Sequence, residues 1–229
     1  MAFGNTNQSL EARRVLPEGA TELSERAFNM VIGGVLLWGF LMNYVMVQFF
    51  TPQVYRLVYQ IGYRGFLLGY FALAIAGSVM IARDSPVLSF IGYNLIAVPV
   101  GMVVTIVVGD YSGSIVKTAV LTTAIVTLSF MILALMFPDF FLSLGRVLGI
   151  SLLLSIIAQL VTHFIFHAST GIYDWIFVVI FSLYIGYDWA RANTCARTLD
   201  NAVDLAASLY LDIINLFLRI LSIMGKKKN

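Results

Sequence analysis

Apolar residues in this chain come in long unbroken runs, not in the one-sided stripes of a water-soluble helix or the alternation of a half-buried strand. Seven runs reach bilayer-crossing length: Ala27–Phe50, Ile61–Ala82, Val87–Gly109, Val116–Phe137, Val147–Phe166, Ile172–Trp189 and Val203–Met224. A spanning helix needs about 20 mostly apolar residues. A membrane β-barrel would show segments of about 10 residues alternating in polarity, and these runs do not alternate. Backbone amides in hydrocarbon must be satisfied within their own segment, so seven α-helices are predicted.

The breaks carry turn-forming residues: Thr51-Pro52, Asp84-Ser85-Pro86, Gly109-Asp110, Pro138-Asp139 and Ser169-Thr170-Gly171. Links this short leave no room for a soluble domain and favour antiparallel neighbours. The expected organisation is a polar N-terminal tail over residues 1–26, a transmembrane domain over 27–224 and a basic C-terminal tail over 225–229. No short apolar region with a small-residue cleavage site lies in the first 26 residues, so a signal peptide is not expected. The chain reads as an all-α integral membrane protein, a seven-transmembrane-helix bundle.

Composition narrows the class further. Of 229 residues, 60% are hydrophobic and 11% charged, against about 45–50% and about 25% in soluble domains. A net charge of +2 with no basic cluster among aromatics argues against nucleic acid as a partner. The single cysteine, Cys195, excludes an internal disulfide. With the N-terminus placed in the cytoplasm, seven Lys/Arg fall inside and seven outside, so the positive-inside rule gives no orientation.

The scarce charges carry the functional signal. All four Glu lie in the tail, and Asp84, Asp110 and Asp139 lie at span boundaries. Asp212 instead sits near the middle of the last span, and Asp188 toward the end of the sixth. An ionisable residue inside a span is costly and marks a functional site by default. A turn centred near residue 200, with Asp200 or Asn201 as N-cap, would put both aspartates 12 residues from it and at one depth. Ser208, Asp212, Asn215, Arg219 and Ser222 follow a 4-3-4-3 spacing on one face of the last helix. Such a stripe looks into a wet cavity or into a hydrogen-bond network that glues helices together. Two close carboxyls disfavour double ionisation and share a proton. A divalent cation or an arginine can replace that proton, and an all-oxygen site suits Ca²⁺ over Zn²⁺.

These residues resemble a known family. Leu183-Tyr184-Ile185-Gly186-Tyr187-Asp188, followed by Ser208-Leu209-Tyr210-Leu211-Asp212-Ile213-Ile214-Asn215-Leu216-Phe217-Leu218, is similar to the Bax inhibitor family, the transmembrane Bax-inhibitor-motif proteins. The specific match covers roughly residues 175–222, with the seven-span layout as a looser likeness. The resemblance implies a central last helix, a pH-sensitive calcium leak and a proton-sensing pair at Asp188 and Asp212, which would also meet Ca²⁺. It implies an arginine latch near the end of the second span, matched best by Arg83. Family members can carry a basic run there, whereas this chain has Arg83-Asp84, an acid that can hold the arginine back. Ser208, Asn215 and Arg219 are further candidates for a latch or for lining the path.

The expected partners are the lipid bilayer, Ca²⁺ and protons, with no resident cofactor and no enzymatic activity. The alternative is a non-conducting regulator that binds another membrane protein, such as a protease or a channel. An intramembrane aspartyl protease would need a Gly-x-Gly-Asp segment, and a retinal protein a lysine in the last span; neither is present. The short polar stretch before the first span suggests a prokaryotic member in the bacterial plasma membrane, with an endomembrane as the alternative location. His163 and His167 read as interfacial residues, and Gly65/Gly69 and Gly145/Gly149 as sites of close helix packing.

Overall fold

Ser24 opens the first helix by accepting a hydrogen bond from the Ala27 amide at 3.2 Å, with Glu25 in the first turn. Both features answer the unpaired amides and positive pole of a helix start. The computed structural model describes Leu16, residues 21–167 and residues 171–225. Most of the polar tail, the Ser169-Thr170 break and the lysines of the basic tail therefore lie outside the described residues. Among the described residues there are eight helices: α1 Glu25–Phe49, α2 Thr51–Ile81, α3 Pro86–Gly109, α4 Gly113–Met136, α5 Pro138–Ser143, α6 Gly145–Phe164, α7 Gly171–Ala192 and α8 Leu199–Met224. All except α5 are long and apolar enough to cross a membrane. The protein is an all-α, multi-pass membrane protein.

Two elements differ from the sequence expectation. The second helix begins at Thr51, ten residues before Ile61, because Pro52 in its first turn starts a helix instead of a link. Gly62, at φ 70° and ψ 159°, then interrupts it. Only glycine takes that conformation without strain, so the helical segment before Gly62 is set apart from the one after it. The Pro138-Asp139 break is likewise helical, as the six-residue α5.

The described chain packs as two compact units. One holds Leu16–Tyr111 and Ala196–Tyr210, hence α1, α2, α3 and the start of α8. There α2 and α3 cross closely: a Cβ on Gly77 would lie 2.5 Å from the Gly92 carbonyl oxygen. Tyr210 of α8 donates its hydroxyl to Asn43 Oδ1 at 3.0 Å and meets the Tyr93 ring edge-on at 5.4 Å. Trp38 donates to Asn94 Oδ1 at 2.9 Å, so Asn43 and Asn94 both bond to a neighbouring helix. A Cβ added at Gly65 or Gly69, by contrast, would meet no atom of another helix within 4 Å among the described residues, and the expected close packing there is not met.

The other unit holds Ser112–Cys195 and the chain from Leu211 on, hence α4 to α7 and the rest of α8. Phe141 of α5 seats its ring on Gly186 of α7, and together with Ala134 and Ala190 it forms a buried cluster. Gly145 accepts the Tyr187 ring, with a Cβ there meeting it at 2.8 Å, so Gly145 does serve close packing. Every residue of α8 from Asn201 to Leu221 is buried or half-buried, whereas Leu148 alone is fully buried in α6. The last helix thus leaves no residue exposed between Asn201 and Leu221, and α6 turns most of its surface outward.

Candidate functional site

The site grows from the connection between α7 and α8. Thr198 caps α8 by accepting from the Asn201 amide at 3.1 Å, and the Asn201 side chain donates to the Ala196 carbonyl at 2.8 Å. The cap is therefore Thr198, not Asp200 or Asn201. The turn lies over Asn193–Thr198, so Asp188 is four residues from the end of α7 and Asp212 is thirteen beyond the start of α8. The symmetric 12-residue arithmetic fails, yet contour length makes up the difference. Six non-helical residues reach about 20 Å at about 3.3 Å each, while helix rises only about 1.5 Å per residue.

The two aspartates do meet. Asp188 is 4% and Asp212 8% exposed, and their carboxyls lie close enough to act on each other's charge. Two buried carboxyls this close disfavour double ionisation, because repulsion and desolvation act against it together. Arg191 Nη1 donates to Asp188 Oδ1 at 2.8 Å, its guanidinium 5.6 Å from the Tyr187 ring centre. Arg191 also lies near enough to Asp212 to act on its charge, and Tyr184 lies near both carboxyls. Asp212 Oδ2 is buried with no hydrogen-bond partner among the described residues. One arginine thus faces two carboxyls, with Asp212 Oδ2 left as a spare acceptor.

A second polar cluster occupies the same two helices. Arg219 Nη1 pairs with Asp174 Oδ1 at 2.8 Å, and its Nη2 reaches Gln159 Oε1 of α6 at 3.5 Å. Ser222 donates to Asp174 Oδ2 at 2.6 Å, and the Arg219 guanidinium stacks 4.1 Å over the Phe177 ring.

The remaining candidates are placed less directly. Asn215 donates to the Leu211 carbonyl of its own helix at 2.8 Å. Ser208 is half-buried in the unit that does not hold the aspartates. Arg83 belongs to that same unit, exposed in the turn after α2. His163 is exposed, and no group of three or more His, Cys, Asp or Glu gathers as a metal site among the described residues. Asp188 and Asp212 offer at most four carboxylate oxygens, whereas a Ca²⁺ cage takes about six to eight oxygens.

Sequence reasoning did not single out Arg191 or Asp174. Arg191 was readable, since it follows Asp188 by three on a predicted helix. Asp174 reads as an ordinary first-turn acid, and only tertiary packing brings it to Arg219.

Two uncharacterised proteins from two strains of Helicobacter pylori are each 32% identical to this chain over 87 residues. The alignment takes in 36% of this chain and 36% of each relative, so it spans about a third of their length. The profile of the family described as "Inhibitor of apoptosis-promoting Bax1" matches residues 21–229, which takes in every described helix and both polar clusters. The chain belongs to the Bax inhibitor family.

Proposed function

We propose that this protein is a pH-sensitive cation leak, with calcium as its principal cargo, and that the Asp188–Asp212 pair sets its gate. The carrying observation is the burial of two neighbouring carboxyls that have a single arginine beside them. Such a pair holds its proton only while it stays close and dry. Loss of the proton leaves two negative charges against one guanidinium, and the helices then gain by separating or by admitting a cation. Proton release, cation entry and movement of α7 against α8 become one linked equilibrium. The protein on this reading catalyses no covalent chemistry and needs no resident cofactor. Its bacterial relatives support a plasma-membrane location.

Purified protein in liposomes with a trapped calcium dye tests this. Calcium entry should vary at least about threefold across a series spanning roughly pH 5–8, and Asp212→Asn should reduce that variation to within about twofold. Flux that Asp212→Asn leaves equally pH-dependent would sink the gating role. Absence of wild-type flux would favour the non-conducting regulator.

A further inference from the structure

The Arg219–Asp174 cluster is a described polar network that the pair does not use. Arg219 follows Asp212 by seven residues on the same face of α8, which places its Cα about 10 Å further along the axis. Its side chain is 28% exposed and that of Asp174 15% exposed, so solvent screens the ion pair only weakly. The arginine is fixed on three sides: by Asp174, by Gln159 and by the Phe177 ring beneath it. Hydrogen-bonded glue between helices needs no charge. Asparagine, glutamine or serine would supply it at less cost in hydrocarbon.

A fixed guanidinium on the polar face that leads to Asp212 is a barrier to cations unless its charge is cancelled. Asp174 cancels it, and Ser222, by donating to the second oxygen of Asp174, holds that carboxylate in place. We infer that Arg219 and Asp174 form a compensated charge gate on the cation path, one that decides how well a divalent ion competes with a monovalent one. This rests on the proposed leak. The Coulomb term scales with the charge of the passing ion, so an uncompensated charge at this position acts twice as strongly, in free energy, on Ca²⁺ as on K⁺. A fold-change for K⁺ therefore becomes its square for Ca²⁺.

The two single substitutions must then act in opposite directions. Asp174→Asn bares the arginine: if K⁺ leak falls about threefold, Ca²⁺ leak falls about ninefold. Arg219→Gln bares the carboxylate and raises the Ca²⁺:K⁺ ratio by about twofold or more. The double substitution returns the ratio to within about twofold of wild type. The measurement is paired Ca²⁺ and K⁺ flux from liposomes holding the full chain, at one pH and matched protein content. If Asp174→Asn does not fold, the Arg219→Gln ratio decides alone. Single substitutions that shift the ratio the same way, or leave it unchanged, would make the network a structural tie and overturn the inference while the leak itself stands. A wild-type protein with no flux for either ion overturns both.

Discussion

Two polar clusters share α7 and α8, and they differ in charge balance. Both contain an arginine facing an aromatic ring, Arg191 with Tyr187 and Arg219 with Phe177. Near the turn, that arginine meets two carboxyls. In the other cluster the arginine meets one carboxylate, with Gln159 and Ser222 completing the contacts. The first arrangement is balanced only with a proton, whereas the second is balanced without one. The ratio of carboxyls to guanidinium therefore differs between the clusters, although both bridge α7 and α8 with an arginine and an aspartate.

Removing the arginine breaks this contrast most sharply. Arg191→Gln leaves Asp188, 6% exposed at its side chain, without its cation. Losing one partner of a buried pair costs about 3–5 kcal/mol. A fall in unfolding midpoint in detergent should register it, and Asp188→Asn added to Arg191→Gln should recover most of the loss. A double variant no better than the single would mean that Arg191 acts through its packing on Tyr187.

Next in size is Gly186→Ala. Gly186 lies two residues before Asp188 and twelve after Asp174, and the Phe141 ring fills the space a methyl would need. Overpacking of that kind costs about 1–3 kcal/mol. On the proposed reading it should disturb the pH dependence of flux, assigned to the near cluster, and leave the Ca²⁺:K⁺ ratio unchanged. Equal disturbance of both readouts would mean that α7 moves as one rigid body and that the clusters are not separable.

The sequence carried some of this and not the rest, for physical reasons. Seven spans are legible because hydrocarbon imposes length and apolarity on every one of them. Gly62 is not legible as a helix break, since glycine is common in membrane helices and its φ depends on the fold. The aspartate pair is legible because charge is so costly in a span that each exception stands out. Its geometry is not, because the depth of Asp188 depends on whether residues 193–198 are helical or extended. Thr198 rather than Asp200 caps α8, which moves the turn four to five residues toward α7. Arg219 is visible on its stripe, but its partner Asp174 lies 45 residues away in a first helical turn, where acids are ordinary.

The smallest effect separates residues of the stripe that look equivalent by spacing. Ser222 and Asn215 both lie on the polar face of α8. Ser222 donates to a carboxylate on another helix at 2.6 Å, and Asn215 donates to a carbonyl of its own helix. A hydrogen bond between membrane helices is worth about 0.6 kcal/mol on average and about 1.7 at most. Ser222→Ala should therefore cost about 1 kcal/mol, because its acceptor is charged, and Asn215→Ala less than about 0.5. Alanine also favours helix over both residues, which shrinks each loss by a few tenths. Unfolding of both variants in the same detergent would compare them directly. If Asn215→Ala costs more than Ser222→Ala, the amide contributes more than its bond to the Leu211 carbonyl accounts for.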